Sequence, residues 1–227
     1  MTSESRERMQ REIAALAARR MAEFGDECGQ AKRKAAAEHF GDPRRANVVL
    51  PDDDQVAEAL REHLRTFDLE QHTRRIERLR RRALAWMEKL DAFDPRLVGA
   101  VLNGSATRFS AIELQLFADS AKDIEMHLLG QGVSFRVEAP VTPHGHALEV
   151  IGFHDDAVAE ESAVPGRALP TRILATVFDP RALRVTSRNK ARIADPRLHP
   201  IERSGRADAA MLHELLADPA HSRTSVQ

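Results

Sequence analysis

The chain has 227 residues with a formal net charge of −1, and 42% of its residues are hydrophobic and 30% charged. This composition is typical of a soluble globular protein with one sizeable domain or a small domain with a helical appendage. The balanced charge gives no sign of nucleic-acid binding through overall charge, and the single cysteine, Cys28, excludes an internal disulfide. No apolar run is long enough to span a bilayer and the N-terminus lacks a signal-peptide core, so we expect a cytoplasmic protein with no membrane partner.

The beginning of the chain is predicted to be helical. Apolar residues near helical spacing predict a first helix over 5–24, and a second is predicted over about 28–40. Asp52, Asp53 and Asp54 favour the start of a third helix, because aspartate accepts hydrogen bonds from the unpaired N–H groups at a helix N-terminus.

A fourth helix is predicted from about 72 to 92, ending before Pro95. One side of it is rich in guanidinium groups, which can follow a phosphate backbone such as that of RNA. The alternative is a solvated face paired with acids elsewhere. The arginines concerned are Arg74, Arg75, Arg78, Arg81 and Arg82.

The centre of the chain reads as two strands joined by a glycine turn. An apolar strand is predicted over Leu97–Leu102, followed by the turn Asn103-Gly104-Ser105 and a second strand over Ile112–Phe117. The second strand alternates, with Glu113 on the side opposite its apolar residues. Backbone N–H groups at a glycine turn can bind phosphates, and a strand carboxylate can hold Mg²⁺ against them.

The remaining elements complete an α+β protein. A helix is predicted over Ser120–Leu129 and a short final helix over Ala209–Leu216, and Asp119 is a candidate cap for the first of these. Three further strands are predicted, and with the central pair they form a mixed or antiparallel sheet of about five strands flanked by helices. These strands are expected over 133–138, 147–153 and 172–178, with a polar connection over 155–170.

Three regions are expected along the chain: a helical region over 1–70, an α/β core over 71–180 and a basic extension over 181–227. Eight Arg or Lys residues fall within 181–206. This segment is either an arm that contacts nucleic acid or nucleotide phosphate, or a tail that wraps an acidic surface.

The central residues resemble the DNA polymerase β-like nucleotidyltransferase superfamily, including small bacterial proteins of that type. The motif of that superfamily is an apolar strand, Gly-Ser, a variable loop and a strand with acidic residues. The matching residues here are Gly104-Ser105, Arg108 and the run Ser110–Leu114, and the resemblance is strongest over the middle third of the chain.

The resemblance implies Mg²⁺-dependent transfer of a nucleotidyl group from a nucleoside triphosphate to an unknown acceptor. It places Gly104, Ser105, Arg108 and Ser110 against the nucleotide and makes Glu113 the catalytic, metal-binding carboxylate.

The metal motif departs from the family pattern. Ala111 stands where the first of two carboxylates is expected, and alanine cannot bind a cation. Glu149 is the candidate substitute ligand, and Asp179 lies just beyond the last predicted strand. Since two-metal transfer normally needs more than one carboxylate, catalysis is expected to be impaired.

Three functions therefore stay open on the sequence. The chain is a nucleotidyltransferase, or an inactive protein of that fold that binds nucleotide, RNA or a protein partner, or a protein in which the Gly-Ser turn is only structural. The acceptor, the preferred base and the oligomeric state cannot be read from the residues.

Overall fold

The computed structural model describes residues 3–41, 50–138, 147–161, 168–185 and 195–218. The protein is α+β, and the chain divides into two compact units. The first unit contains residues 1–73 and 107–109, and the second contains residues 74–106 and 110–227.

The first unit is helical. It consists of α1 (Ser3–Phe24), α2 (Cys28–Phe40) and the N-terminal part of α3 (Asp53–Lys89). Its core is built largely from alanine, which lets helix axes approach closely because the side chain is a single methyl group. The fully or almost fully buried alanines are Ala14, Ala17, Ala18, Ala31, Ala35 and Ala36.

The third and fourth predicted helices are one continuous helix, so the prediction of a break between them was wrong. α3 runs for 37 residues. Residues 61–72 contain neither glycine nor proline, and without such a residue nothing in the local sequence ends the helix. The boundary between the two units falls inside this helix, between Thr73 and Arg74.

The second unit contains a mixed five-stranded sheet in the order β1-β2-β5-β4-β3. β2 and β5 are parallel, and every other neighbouring pair is antiparallel. This confirms the predicted fold class. The strands are β1 (Arg96–Val98), β2 (Ile112–Phe117), β3 (Phe135–Glu138), β4 (Ala147–Glu161) and β5 (Ala168–Phe178).

Two strand predictions differ from the structure. The strand expected over Leu97–Leu102 ends at Val98, and a short helix, α4 (Gly99–Asn103), follows. Gly99 has φ +71°, a left-handed conformation that takes the chain out of the sheet. The connection expected over 155–170 is partly strand, because the β4–β5 ladder continues to the pair Glu161 and Ala168.

Short helices complete the second unit. α5 (Ala121–Gly130) is capped by Ser120, whose hydroxyl accepts from Lys122 N at 3.2 Å, and not by the predicted Asp119. No helix in the described ranges has the length and apolarity needed to cross a membrane. The other helices are a 3₁₀ turn (Asp91–Phe93), α6 (Ala182–Val185), α7 (Pro200–Arg203) and α8 (Ala209–Ala217).

The described part of the C-terminal extension packs on the core of the second unit. Ile201, Ala207, Leu212 and Leu215 are buried in the same core as the sheet. Ala207 also joins the edge strand, since Leu97 N donates to Ala207 O at 2.8 Å and Ala207 N donates to Leu97 O at 3.0 Å.

The sheet has a core face and an outer face. On β2, Ile112, Leu114 and Leu116 are buried on the core face together with Trp86 of α3. Alternation along each strand places the intervening side chains on the outer face. The outer face consists of Arg96 and Val98 of β1, Glu113, Gln115 and Phe117 of β2, Arg172, Leu174, Thr176 and Phe178 of β5, Val150, Gly152 and His154 of β4, and Arg136 and Glu138 of β3.

Candidate functional site

Glu113 is an exposed carboxylate on the outer face of β2. Its strand partners are Val98 on one side and Leu174 on the other. Its carboxylate lies against Gly99 at the start of α4, where an added Cβ would come within 2.5 Å of Glu113 Oε1. Glycine at position 99 therefore gives the backbone its left-handed turn and also leaves room for the carboxylate.

The Gly104-Ser105 turn closes the C-terminus of α4. Gly104 is left-handed with φ +76°, and its N–H donates to Ala100 O. Ser105 is only 4% exposed. Its N–H donates to Ala100 O and to Asn103 Oδ1, both at 3.0 Å, and its hydroxyl donates to Asn103 Oδ1 at 2.7 Å. The donors expected to bind phosphate are thus already used inside the turn.

A buried arginine holds α4 in place. Arg80 of α3 donates to Val101 O at 3.1 Å and to Leu102 O at 2.7 Å, which are carbonyls at the C-terminal end of a helix. It also pairs with Glu202 of α7 at 2.6 Å, and both side chains are 8% exposed. Sequence reasoning missed this pair. The signal was present, because Arg80 lies four residues after the buried Ile76 and so shares the buried side of the helix.

The remaining predicted nucleotide-binding residues divide between the two units. Arg108 is part of the first unit, where its guanidinium donates to Glu23 O at 3.3 Å and lies 4.7 Å from the centre of the Phe109 ring. Ser110 is half-buried and belongs to the second unit. Arg108 thus belongs to a different unit from the other predicted residues, which are Gly104, Ser105, Ser110 and Glu113.

Glu149 and Glu113 lie on opposite faces of the sheet. Glu149 pairs with Val177 and shares the core face with Ile151. Burial, and secondly the carboxylate of Glu125, raises the pKa of Glu149. Since the sheet separates the two carboxylates, the structure does not bring the predicted metal ligands Glu113 and Glu149 together.

Other carboxylates are also distant from Glu113. Asp179 follows the end of β5 and accepts from Arg181 N at 2.8 Å. It lies five residues beyond Leu174, the partner of Glu113, which corresponds to about 16 Å along the strand.

Glu138 is the other carboxylate on the outer face, and it pairs with Arg172. Its side chain lies over Gly152 of β4, about 10 Å from β2 across two strand spacings. Within the ranges that the structure describes, no three His, Cys, Asp or Glu residues form a group able to hold a metal ion.

The arginine-rich side of α3 is partly structural. Arg82 forms a two-pronged pair with Asp155, which is 4% exposed and also accepts from Trp86 Nε1 at 2.6 Å. Arg81 pairs with Glu77 at 2.5 Å on the surface. A groove of about 440 Å³ runs along this side of the helix. It is lined by Arg74, Glu77, Arg78, Arg81, Arg82 and Ala85.

Only part of the basic segment 181–206 can be placed, because residues 186–194 lie outside the described residues. Arg197 pairs with the buried Asp195 at 2.9 Å. Arg206 lies over the ring of Phe117, with 5.8 Å between its guanidinium carbon and the ring centre. The end of the segment thus reaches the outer face of the sheet.

No family model, curated protein or solved structure matches this chain. The nucleotidyltransferase family therefore stays a prediction from Gly104-Ser105, Arg108 and Ser110–Leu114.

Proposed function

We propose that the second unit binds the phosphate end of a nucleoside triphosphate beside Glu113 and does not transfer the nucleotidyl group. The observation that carries this proposal is an exposed carboxylate on the outer face, next to the glycine turn that begins α4. Mg²⁺ is commonly bound by one or two carboxylates together with substrate phosphates. Glu113 fits that role as the single protein ligand.

The absence of transfer follows from the neighbours of Glu113. Two-metal transfer uses ions about 3.5–4 Å apart that share carboxylate ligands. Val98 and Leu174 flank Glu113 in the sheet. Ala111 lies two residues before Glu113 in the chain, just ahead of β2. None of these side chains can bind a cation, so the outer face favours binding over catalysis.

Calorimetric titration with ATP, GTP, CTP and UTP, with and without Mg²⁺, tests the proposal. Binding is expected to be at least tenfold tighter with Mg²⁺ than without it, and Glu113→Gln, a variant that keeps the side-chain shape against Gly99, should remove that gain. Glu138→Gln, which removes the same charge from the same face, is the matched control and should bind as the natural chain does.

Two results would overturn the proposal in different ways. If none of the four nucleotides binds, the nucleotide interpretation fails altogether. If the protein releases pyrophosphate from a nucleotide and Glu113→Gln abolishes the release, the chain is an active transferase and Glu113 is its catalytic carboxylate.

A second candidate function, RNA binding, is favoured by the groove along α3. Four of its six lining residues are arginine, and guanidinium groups in a row can contact successive phosphates. Arg78 is exposed and lines this groove, so it is the contact to test.

Fluorescence anisotropy with a labelled single-stranded RNA tests the groove. Arg78→Ala should weaken binding and reduce the slope of log K against log salt by about 0.7, the value for one phosphate contact on a single strand. Arg19→Ala on α1, an arginine that is also exposed and lies in a surface ion pair, is the charge-matched control. Equal losses in both variants would show a nonspecific charge effect and exclude the groove.

A further inference from the structure

Arg96, Arg206 and Gln115 converge on one part of the outer face. Arg96 and Gln115 are direct partners in the antiparallel β1–β2 ladder, so their side chains leave the sheet on the same side. The paired hydrogen bonds between Leu97 and Ala207 hold the chain beside β1, which brings Arg206 next to the same strand. Its guanidinium then extends over Phe117, the next outer-face residue of β2 after Gln115.

Gln115 is a buried polar residue whose amide oxygen is unsatisfied. It is 9% exposed, and its Oε1 is buried without a hydrogen-bond partner in the described part of the chain. An unpaired buried amide costs about 1–3 kcal/mol in proteins. Since the oxygen and nitrogen of an amide can exchange places by rotation of the side chain, this group can offer either a donor or an acceptor to a ligand.

Only one nitrogen of the Arg96 guanidinium makes hydrogen bonds to the described residues. Its Nη1 donates to Pro95 O at 3.0 Å and pairs with Asp94 Oδ1 at 2.7 Å. Its Nε and Nη2 have no partner among the residues that the structure describes. Arg96 therefore has one side fixed by its neighbours and another side available for a planar or tetrahedral oxyanion.

Two positive charges are held close together at this position. Burial, and secondly the charge of Arg96, lowers the pKa of Arg206. A bound anion would interact favourably with both guanidinium groups.

We infer that Arg96, Arg206 and Gln115 form a binding site for a phosphoryl group on the outer face. The two guanidinium groups pair with the phosphoryl oxygens, and the amide of Gln115 completes the set of hydrogen bonds. The inference does not depend on the proposed nucleotide function, because the site contains no residue of the Gly104–Glu113 stretch. Gln115 lies about 7 Å along β2 from Glu113, which is within the span of a triphosphate.

The test is a calorimetric titration of the full chain with inorganic pyrophosphate in the absence of any metal, which measures the affinity of the site. Arg206→Ala should weaken pyrophosphate binding at least tenfold. Arg206→Lys, which keeps the charge and loses the two-pronged geometry, should weaken it less. Arg136→Ala is the control, because Arg136 is exposed on β3, four strands from β1 and three from β2, and contributes the same charge.

The variant Gln115→Met distinguishes a role of the amide in ligand binding from its effect on the stability of the fold. If the amide contacts the ligand, the variant binds pyrophosphate more weakly and is at the same time more stable, because a buried polar group has been replaced by an apolar one of similar size. A more stable variant with unchanged affinity would overturn the role of Gln115. Failure of pyrophosphate to bind, or binding that ignores both Arg206 variants, would overturn the site.

Further ligands identify the source of the phosphoryl group. ATP without metal that binds more tightly than pyrophosphate, with the same loss in Arg206→Ala, assigns the site to nucleotide phosphates. Binding of citrate but not of pyrophosphate would overturn the phosphoryl assignment. If Glu113→Gln leaves pyrophosphate binding unchanged while nucleotides fail to bind, the phosphoryl site is supported and the proposed nucleotide function is wrong.

Discussion

The carboxylate of Glu113 occupies the space that a side chain at Gly99 would need, since a Cβ at position 99 would lie 2.5 Å from Oε1 and 2.7 Å from the carboxyl carbon of Glu113. The two residues are fourteen positions apart in the chain, and the pairing of Val98 with Glu113 brings them together. The conformation of the glycine and the position of the candidate metal ligand are therefore coupled.

Gly99→Ala is expected to destabilise the protein by about 2 kcal/mol or more, because alanine in the left-handed region costs about 1–2 kcal/mol and the carboxylate must also move. In the Glu113→Ala background the same change should cost only the backbone part. Chemical denaturation of the natural chain, the two single variants and the double variant measures the coupling free energy between Gly99 and Glu113. Equal costs in both backgrounds would show that the two residues do not interact.

The outer-face position of Glu113 could be predicted from sequence, whereas its surroundings could not. Alternation along Ile112–Phe117 is a local signal, and it correctly separated Glu113 from the apolar residues. The left-handed turn at Gly99 and the bridge from Leu97 to Ala207 depend on contacts far along the chain. Glu149 shows the same limit, because its face is set by pairing with β5 and not by its own neighbours in sequence.

Glu202→Ala is expected to destabilise the protein by about 3–5 kcal/mol, the range for removing one partner of a buried ion pair. The loss leaves Arg80 buried without its carboxylate, and His199 N also loses its acceptor. The double variant Arg80→Met with Glu202→Leu should lose less stability than the sum of the two single variants, since it leaves neither charge buried without its partner. Urea denaturation of the four proteins checks this, and additive losses would contradict the explanation.

Asp155→Ala should cost about 2–4 kcal/mol, because it leaves Arg82 and the indole N–H of Trp86 without their shared acceptor. Trp86 is the single tryptophan, so its fluorescence reports the change directly, and a red shift in the folded state is expected. Glu77→Ala breaks only the exposed pair with Arg81 and should change stability by no more than about 1 kcal/mol.

Glu149 should make the protein relatively more stable in acid than at neutral pH. Its pKa is raised in the folded state by burial and by Glu125, so folding favours the protonated carboxyl. Below the unfolded pKa both states are protonated and no penalty exists; the penalty develops as the pH rises through the folded pKa. Glu149→Gln should therefore stabilise the protein at pH 7 and have little effect at pH 4, as measured by denaturation midpoints.

Cys28 is expected to react slowly with alkylating reagents. Burial, and secondly the charge of Asp53, raises the pKa of its thiol from 9.0 to about 11, and the thiolate is the reactive form. Its Sγ donates to Asp53 Oδ1 at 3.4 Å, and Lys32 pairs with the same oxygen at 2.6 Å. Labelling by iodoacetamide should accelerate about tenfold for each pH unit up to the pKa near 11.

Asp53→Asn gives the matched test of that environment, since it removes the negative charge and keeps a side chain of the same size. The variant should label faster than the natural chain at pH 8, because Lys32 then acts on the thiolate without the opposing carboxylate. Mass spectrometry of the labelled chain follows the rate at its single cysteine. Burial remains in the variant, so its rate should stay below that of an unfolded control in urea; a rate equal to that control would show that Cys28 is not shielded in the folded protein.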